Sequence, residues 1–181
     1  MRSSNKVYLS SIIVLAMVAL LLGSCSQPSG LAAYGKEFEQ VMHSETGVFR
    51  GFSLGDKFDS VKLSEKETPM ETDSGYLYYE RKLDTAGTYN ITYNFTDNQL
   101  DEIQSDIYLH SANRAEEVFG KFKSYFDEHY GQSQNQQGFT VWTVKSQKYG
   151  TVRISLSDES SNFTVDKAPG KISLWIYPDK E

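Results

Sequence analysis

Thr88-Tyr89-Asn90-Ile91-Thr92-Tyr93-Asn94-Phe95, followed by Thr96-Asp97-Asn98-Gln99 and a return from Leu100 to Leu109, is the stretch whose reading decides the fold. Tyr89, Ile91, Tyr93 and Phe95 alternate with Asn90, Thr92 and Asn94, the two-residue period of a strand with one apolar and one polar face. Asp97 and Asn98 are side chains that tolerate a tight turn, and Ile103, Ile107 and Leu109 share a face on the way back. The sequence therefore predicts a β-hairpin.

Working outward, Gly75 to Leu83 is Tyr-rich and reads as a strand, with Leu77 and Tyr79 on one face and Tyr76 and Tyr78 on the other. Upstream, Tyr34, Phe38 and Val41 fall at helical spacing within Tyr34 to His43. Gly51-Phe52-Ser53-Leu54-Gly55-Asp56 leads into a short second helix through Phe58 and Val61, with Asp56 as its N-cap, which Pro69 forbids from continuing. Downstream, Ser111 caps a long helix whose apolar residues Ala115, Val118, Phe119, Phe122 and Phe126 step by three and four and whose end is marked by Gly131. Glu117 with Lys121, and Lys123 with Asp127, are spaced as surface ion pairs along it. Three further strands follow, Phe139 to Val144, Thr151 to Leu156 and Lys171 to Tyr177. The order helix, helix, three strands, helix, three strands predicts an α+β domain: an antiparallel sheet of about six strands with helices packed on one face.

The N-terminal end carries an address. Arg2 and Lys6 precede an unbroken apolar run from Ile12 to Leu22, the length of a signal-peptide core and too short for a membrane span. The run ends in Leu22-Gly23-Ser24-Cys25, and Cys25 is the only cysteine of the 181 residues. The arrangement resembles a bacterial lipoprotein processing site, which implies cleavage between Ser24 and Cys25 and acylation of the Cys25 thiol by palmitate-type chains. At ~0.8 kcal/mol per buried methylene, two or three chains anchor a protein durably. Ser26 follows, rather than the aspartate that resembles an inner-membrane retention signal, which places the expected anchor in the outer membrane if the cell has one. Residues 1–24 are thus read as signal peptide, 25–33 as lipidated cysteine and tether, and 34–181 as a single domain.

Residues 25–181 carry 16 basic against 24 acidic side chains, a net charge of −8 with His neutral. That disfavours nucleic acid and anionic lipid as partners. With Cys25 acylated no thiol remains to pair, so the fold stands on its core.

The glycine-bracketed Gly51 to Gly55, the helix ending near Val61 and the hairpin Tyr93-Asn94-Phe95-Thr96-Asp97-Asn98-Gln99-Leu100 resemble small bacterial lipoproteins of the SmpA/OmlA type and, more widely, β-lactamase-inhibitor-like domains. The resemblance covers Gly47 to Leu109; the long helix 112–130 and the second strand triplet exceed a minimal member and are open to reading as a diverged second copy of the unit. It implies non-enzymatic binding of protein partners through the sheet or loops, and it brings no catalytic residue to this chain.

No residue pattern speaks for catalysis or for a metal or other cofactor. The adjacent pairs Asp101/Glu102, Glu116/Glu117 and Asp127/Glu128 should diverge, since neighbours on a strand point to opposite faces and neighbours on a helix splay apart. His43, His110 and His129 lack metal-ligand spacing, and Asp158 and Glu159 fit an ordinary turn. No Gly-x-Ser-x-Gly elbow or phosphate-binding glycine loop is present. The positive signal is aromatic. If Ile172, Leu174 and Ile176 face the core, Trp175 and Tyr177 project away from it, and with Tyr76 and Tyr78 they form a candidate binding face. The expected function is that of a lipid-anchored, extracytoplasmic, non-enzymatic protein contacting another envelope protein; the alternative is a binder of a small apolar or glycan ligand held between sheet and helix.

Overall fold

The computed structural model describes residues 29–85, 87–162 and 169–179. The proposed processing site, Ser24 and Cys25, and the signal segment lie outside the described residues. Within them the chain forms a 3-10 turn (Gly30–Tyr34), helices α1 (Lys36–Met42) and α2 (Phe58–Ser64), and strands β1 (Glu71–Thr72), β2 (Tyr76–Lys82), β3 (Gly87–Thr96) and β4 (Gln99–Leu109). Helix α3 (Ala112–Tyr130) and strands β5 (Gln134–Gln136), β6 (Phe139–Ser146), β7 (Gly150–Asp158) and β8 (Gly170–Pro178) complete it.

All strands join one antiparallel 8-stranded sheet in the order β1-β2-β3-β4-β8-β7-β6-β5. The α+β class stands, but the sheet has two strands more than expected: β1 and β5 are edge strands of two and three residues, too short and polar to show a period. The order also reveals a tandem design. Residues 36–109 run helices then four strands, residues 112–178 run helix then four strands, and the two sets meet where β4 pairs antiparallel with β8.

One core lies between the sheet and the helices. Tyr89, Ile91, Tyr93 and Phe95 are buried as the alternation requires, as are Ile172, Leu174 and Ile176. Helix α3 supplies Ala115, Val118, Phe122, Tyr125 and Phe126; Phe119, expected in that stripe, is only partly buried, and Tyr125 joins instead. Ser111 caps the helix, its Oγ accepting from Arg114 N at 3.1 Å, and Gly131 ends it at φ 86°. Asp127 ties its last turn to the sheet by accepting from Trp142 Nε1 at 2.9 Å and Ser133 N at 2.9 Å.

Three local expectations change. Asp56 does not cap α2: Lys57 holds that position, and the Asp56 carboxylate instead accepts from Ser53 N at 2.9 Å, closing the loop before it. Helix α2 ends at Ser64, well before Pro69. The stretch read as tether is already structured at Gly30–Tyr34, where Leu31 and Tyr34 pack on the core and the Tyr34 hydroxyl donates to Glu128 at 2.5 Å.

Candidate interaction face

The side of the sheet away from the helices displays the residues that alternate with the core. The sequence-nominated rings all lie there, yet the register separates them into two pairs. Tyr78 pairs with Thr92, Thr92 with Gln104, and Gln104 with Trp175, so three strand steps intervene. At ~4.8 Å per step that is roughly 14 Å, with polar Thr92 and Gln104 between. Tyr76 sits with Tyr78 near the β1 edge, its hydroxyl donating to Glu71 at 3.0 Å. Trp175 and Tyr177 pack on each other with ring centroids 4.6 Å apart, and Trp175 is 43% exposed.

The Trp175 half is the richer one. Across β7 and β6 the register runs from Trp175 to Ser155 to Val141, and from Tyr177 to Arg153 to Thr143. Phe139, two residues before Val141 on the same face, is 40% exposed, whereas Val141 is 5% exposed although it stands apart from the main core. A trough of about 550 Å³ follows, lined by Gln136, Gln137, Phe139, Val141, Arg153, Ser155, Trp175 and Tyr177. Gln137 and Gly138 both adopt positive φ in the turn between β5 and β6, the geometry of a tight hairpin, and this turn forms one end of the trough. Arg153 is steered rather than loose: its Nε meets Asp179 Oδ1 at 2.7 Å and its Nη1 donates to Gln136 Oε1 at 3.3 Å.

The sequence missed Phe139, Val141 and Arg153 as members of this face. The alternation that marks them is present, with Phe139, Val141 and Thr143 opposite Trp142 and Val144, but nothing local says which edge meets Trp175.

A second trough of about 480 Å³ adjoins the first and shares Arg153 and Tyr177 with it; Asp101, Glu102, Asn94 and Asp179 line the rest. Here an expectation is overturned. Asp101 and Glu102 do not diverge, because β4 carries a bulge: Phe95 pairs with Leu100 but Asn94 pairs with Glu102, leaving Asp101 as the extra residue. A bulge sets two residues against one and re-aims their side chains, so both carboxylates line the same trough. Thr96 Oγ1 donates to Asp101 at 2.7 Å, and Asn94 and Gln104 donate to Glu102 at 2.8 and 2.6 Å.

Two other polar clusters have structural work. On the open face Ser173 Oγ donates to Asp106 at 2.5 Å beside Lys171, which holds Glu159 at 2.8 Å. Burial alone would lower the Lys171 pKa, but Glu159 and Asp106 outweigh it and hold the ammonium above its usual value. A lysine so held is a poor base for Ser173. On the helical side, Glu65 is buried against two guanidiniums: Arg50 meets it through Nε and Nη2 at 2.8 and 2.9 Å, Arg81 through Nη2 at 2.7 Å, and the Tyr93 hydroxyl donates to the same carboxylate. Burial would raise the Glu65 pKa, but the bonds from Arg50 prevail and it lies below its ordinary value. Arg50 also closes the end of α1 by donating to the carbonyls of Gln40 and Val41. Beside this cluster a recess of about 410 Å³ is lined by Gln40 and His43 on the α1 side and by Arg81, Lys82 and Tyr89 of the sheet.

Among the described residues no grouping of three or more His, Cys, Asp and Glu side chains is able to hold a metal, and no helix is long and apolar enough to cross a membrane. Comparison with known proteins finds no match to this chain, whether by family model, curated protein or solved structure.

Proposed function

We propose that this chain is a lipid-anchored extracytoplasmic binding protein whose work is to hold another envelope protein against the open face of its sheet. The observation that carries the reading is the exposed Trp175–Tyr177 ring pair beside Arg153 and Phe139, on a face that no described element covers. Trp, Tyr and Arg are the residues on which binding energy concentrates at protein interfaces. The tandem order of helices and strands supports the resemblance to β-lactamase-inhibitor-like domains. Anchor and face also fit together: the chain enters through the 3-10 turn on the helical layer, where Tyr34 packs on Phe38 and Tyr125. A lipid on Cys25, a few residues before that turn, would hold the helical side near the bilayer and leave the open face available.

The test is site-specific photo-crosslinking in intact cells, with the reactive group placed at exposed Thr143, on the open face in register with Arg153 and Tyr177, or, for comparison, at exposed Lys121 on α3. A discrete adduct to one envelope protein from 143, absent from 121 and lost in a Trp175→Ser, Tyr177→Ser background, is the expected result. Equal labelling from both positions, or an adduct indifferent to the two substitutions, would overturn the contact-face reading.

A further inference from the structure

We propose that the two adjoining troughs form one bipartite site for a polypeptide segment that carries an apolar side chain next to basic residues. The proposal rests on the open face being the contact surface and names the chemistry that occupies it. The apolar half, around Phe139, Val141 and Trp175, presents ring faces and no carboxylate. The other half holds Asp101, Glu102 and Asp179, and among the described residues its only lining cation is Arg153. Arg153 is neutralised by Asp179 at 2.7 Å, so the trough keeps two uncompensated negative charges, Asp101 and Glu102. Among the described residues their bonds come from the neutral donors Thr96, Asn94 and Gln104, which fix the carboxylates in place without cancelling their charge.

Tyr177 and Arg153 belong to both halves, so the halves are continuous. A segment lying across that junction sets an apolar residue against Trp175 and a lysine or arginine against the bulge. Such a cation meets oriented carboxylates beside low-dielectric ring surface, where charge complementarity selects the partner and speeds its arrival. The bulge is what makes the arrangement: without it one of the two acidic neighbours would turn to the core face.

The experiment uses the full chain in a mild non-ionic detergent and a short fluorescein-labelled peptide with one tryptophan followed by a lysine pair in a glycine and serine background, read by anisotropy. Companion peptides replace the lysines by glutamates, or the tryptophan by serine. The lysine peptide should bind about tenfold more tightly than either companion, and weaken as salt rises from about 50 to 300 mM. D101N/E102Q should remove that preference and flatten the salt dependence, and W175S should remove binding. Because a disturbed bulge would also abolish the preference in D101N/E102Q, D101K/E102K supplies a gain: it should turn the preference to the glutamate peptide, which a merely damaged fold cannot do.

Equal binding of the lysine and glutamate peptides by the native chain overturns the proposal. So does loss of lysine-peptide binding on adding micromolar calcium, which would show the carboxylates to be a metal site. If D101N/E102Q leaves the position-143 crosslink in cells unchanged while W175S abolishes it, the bipartite site falls and the contact face stands. If neither variant alters the crosslink, the contact face itself falls.

Discussion

Glu65 is the residue on which the helical layer is fastened: it lies at the end of α2, while Arg50 comes from a loop at a left-handed φ of 56° and Arg81 from β2. Breaking a buried ion pair by removing one partner typically costs about 3–5 kcal/mol, because the remaining charge stays buried without compensation. Glu65→Gln should therefore destabilise the protein on that scale in urea melts at neutral pH. The sign of the pH dependence follows from the direction of the shift. The carboxyl is held below its ordinary value of 4.5, so its contribution is complete above about that pH and is lost as pH falls through the folded-state value. The stability gap between the native chain and Glu65→Gln should narrow below pH 4.5; a gap constant down to pH 2.5 would refute the assignment. Nothing in the sequence announced this cluster. Alternation places Arg81 and Tyr93 on the core side of β2 and β3, but Arg50 and Glu65 lie in a loop and at a helix end, 15 residues apart, where no periodicity operates.

Helix α3 was legible almost completely, cap to cap, since its signals are local: a serine that caps, apolar residues at helical steps, a glycine that stops. Phe122 is fully buried and meets Phe38 edge-on with centroids 4.7 Å apart. Phe122→Ala should cost roughly 3–5 kcal/mol. Glu117→Ala should cost less than about 1 kcal/mol, because the side chain is largely exposed and its partner is Arg114 rather than the expected Lys121. Equal urea midpoints for the two variants would show the buried stripe to be misassigned. A less visible constraint is Gly170 at the start of β8, where an added Cβ would stand 2.3 Å from the Ser111 carbonyl oxygen. Gly170→Ala should lower stability by about 1–3 kcal/mol, the usual cost of overpacking, measured by thermal melting. Six of the strands were likewise legible from alternation, but β1 and β5 were not, and neither was the bulge at Asp101, whose cause is a pairing shift rather than a residue pattern.

At the scale of the whole molecule the sequence said which faces the rings occupy and not which rings are neighbours. Tyr78 and Trp175 both leave the core side as read from alternation, yet their separation depends on β4 lying beside β8, a pairing of Gln104 with Trp175 between strands far apart in sequence. The same contact assembles the site. Replacing Trp175 and Tyr177 by Ser should leave the melting temperature close to native, since both project from the sheet, while weakening partner capture; a large drop in melting temperature would place them in a second core layer. Cys25→Ser should abolish fatty-acid labelling and release the protein from membranes, and equal labelling of the two forms would remove the localisation reading. The position of β8 has one more consequence. Among the described residues it is the last strand in sequence but the fourth strand from the β5 edge, inserted between β4 and β7. A protein exported N-terminus first would hold two long, unsatisfied strand borders until the final strand arrives, and both would be templates for pairing with other chains. Folding from the N-terminus thus has a vulnerable interval that closes only when β8 arrives, and a stop codon before Gly170 should yield a protease-sensitive, aggregating product rather than a smaller stable domain.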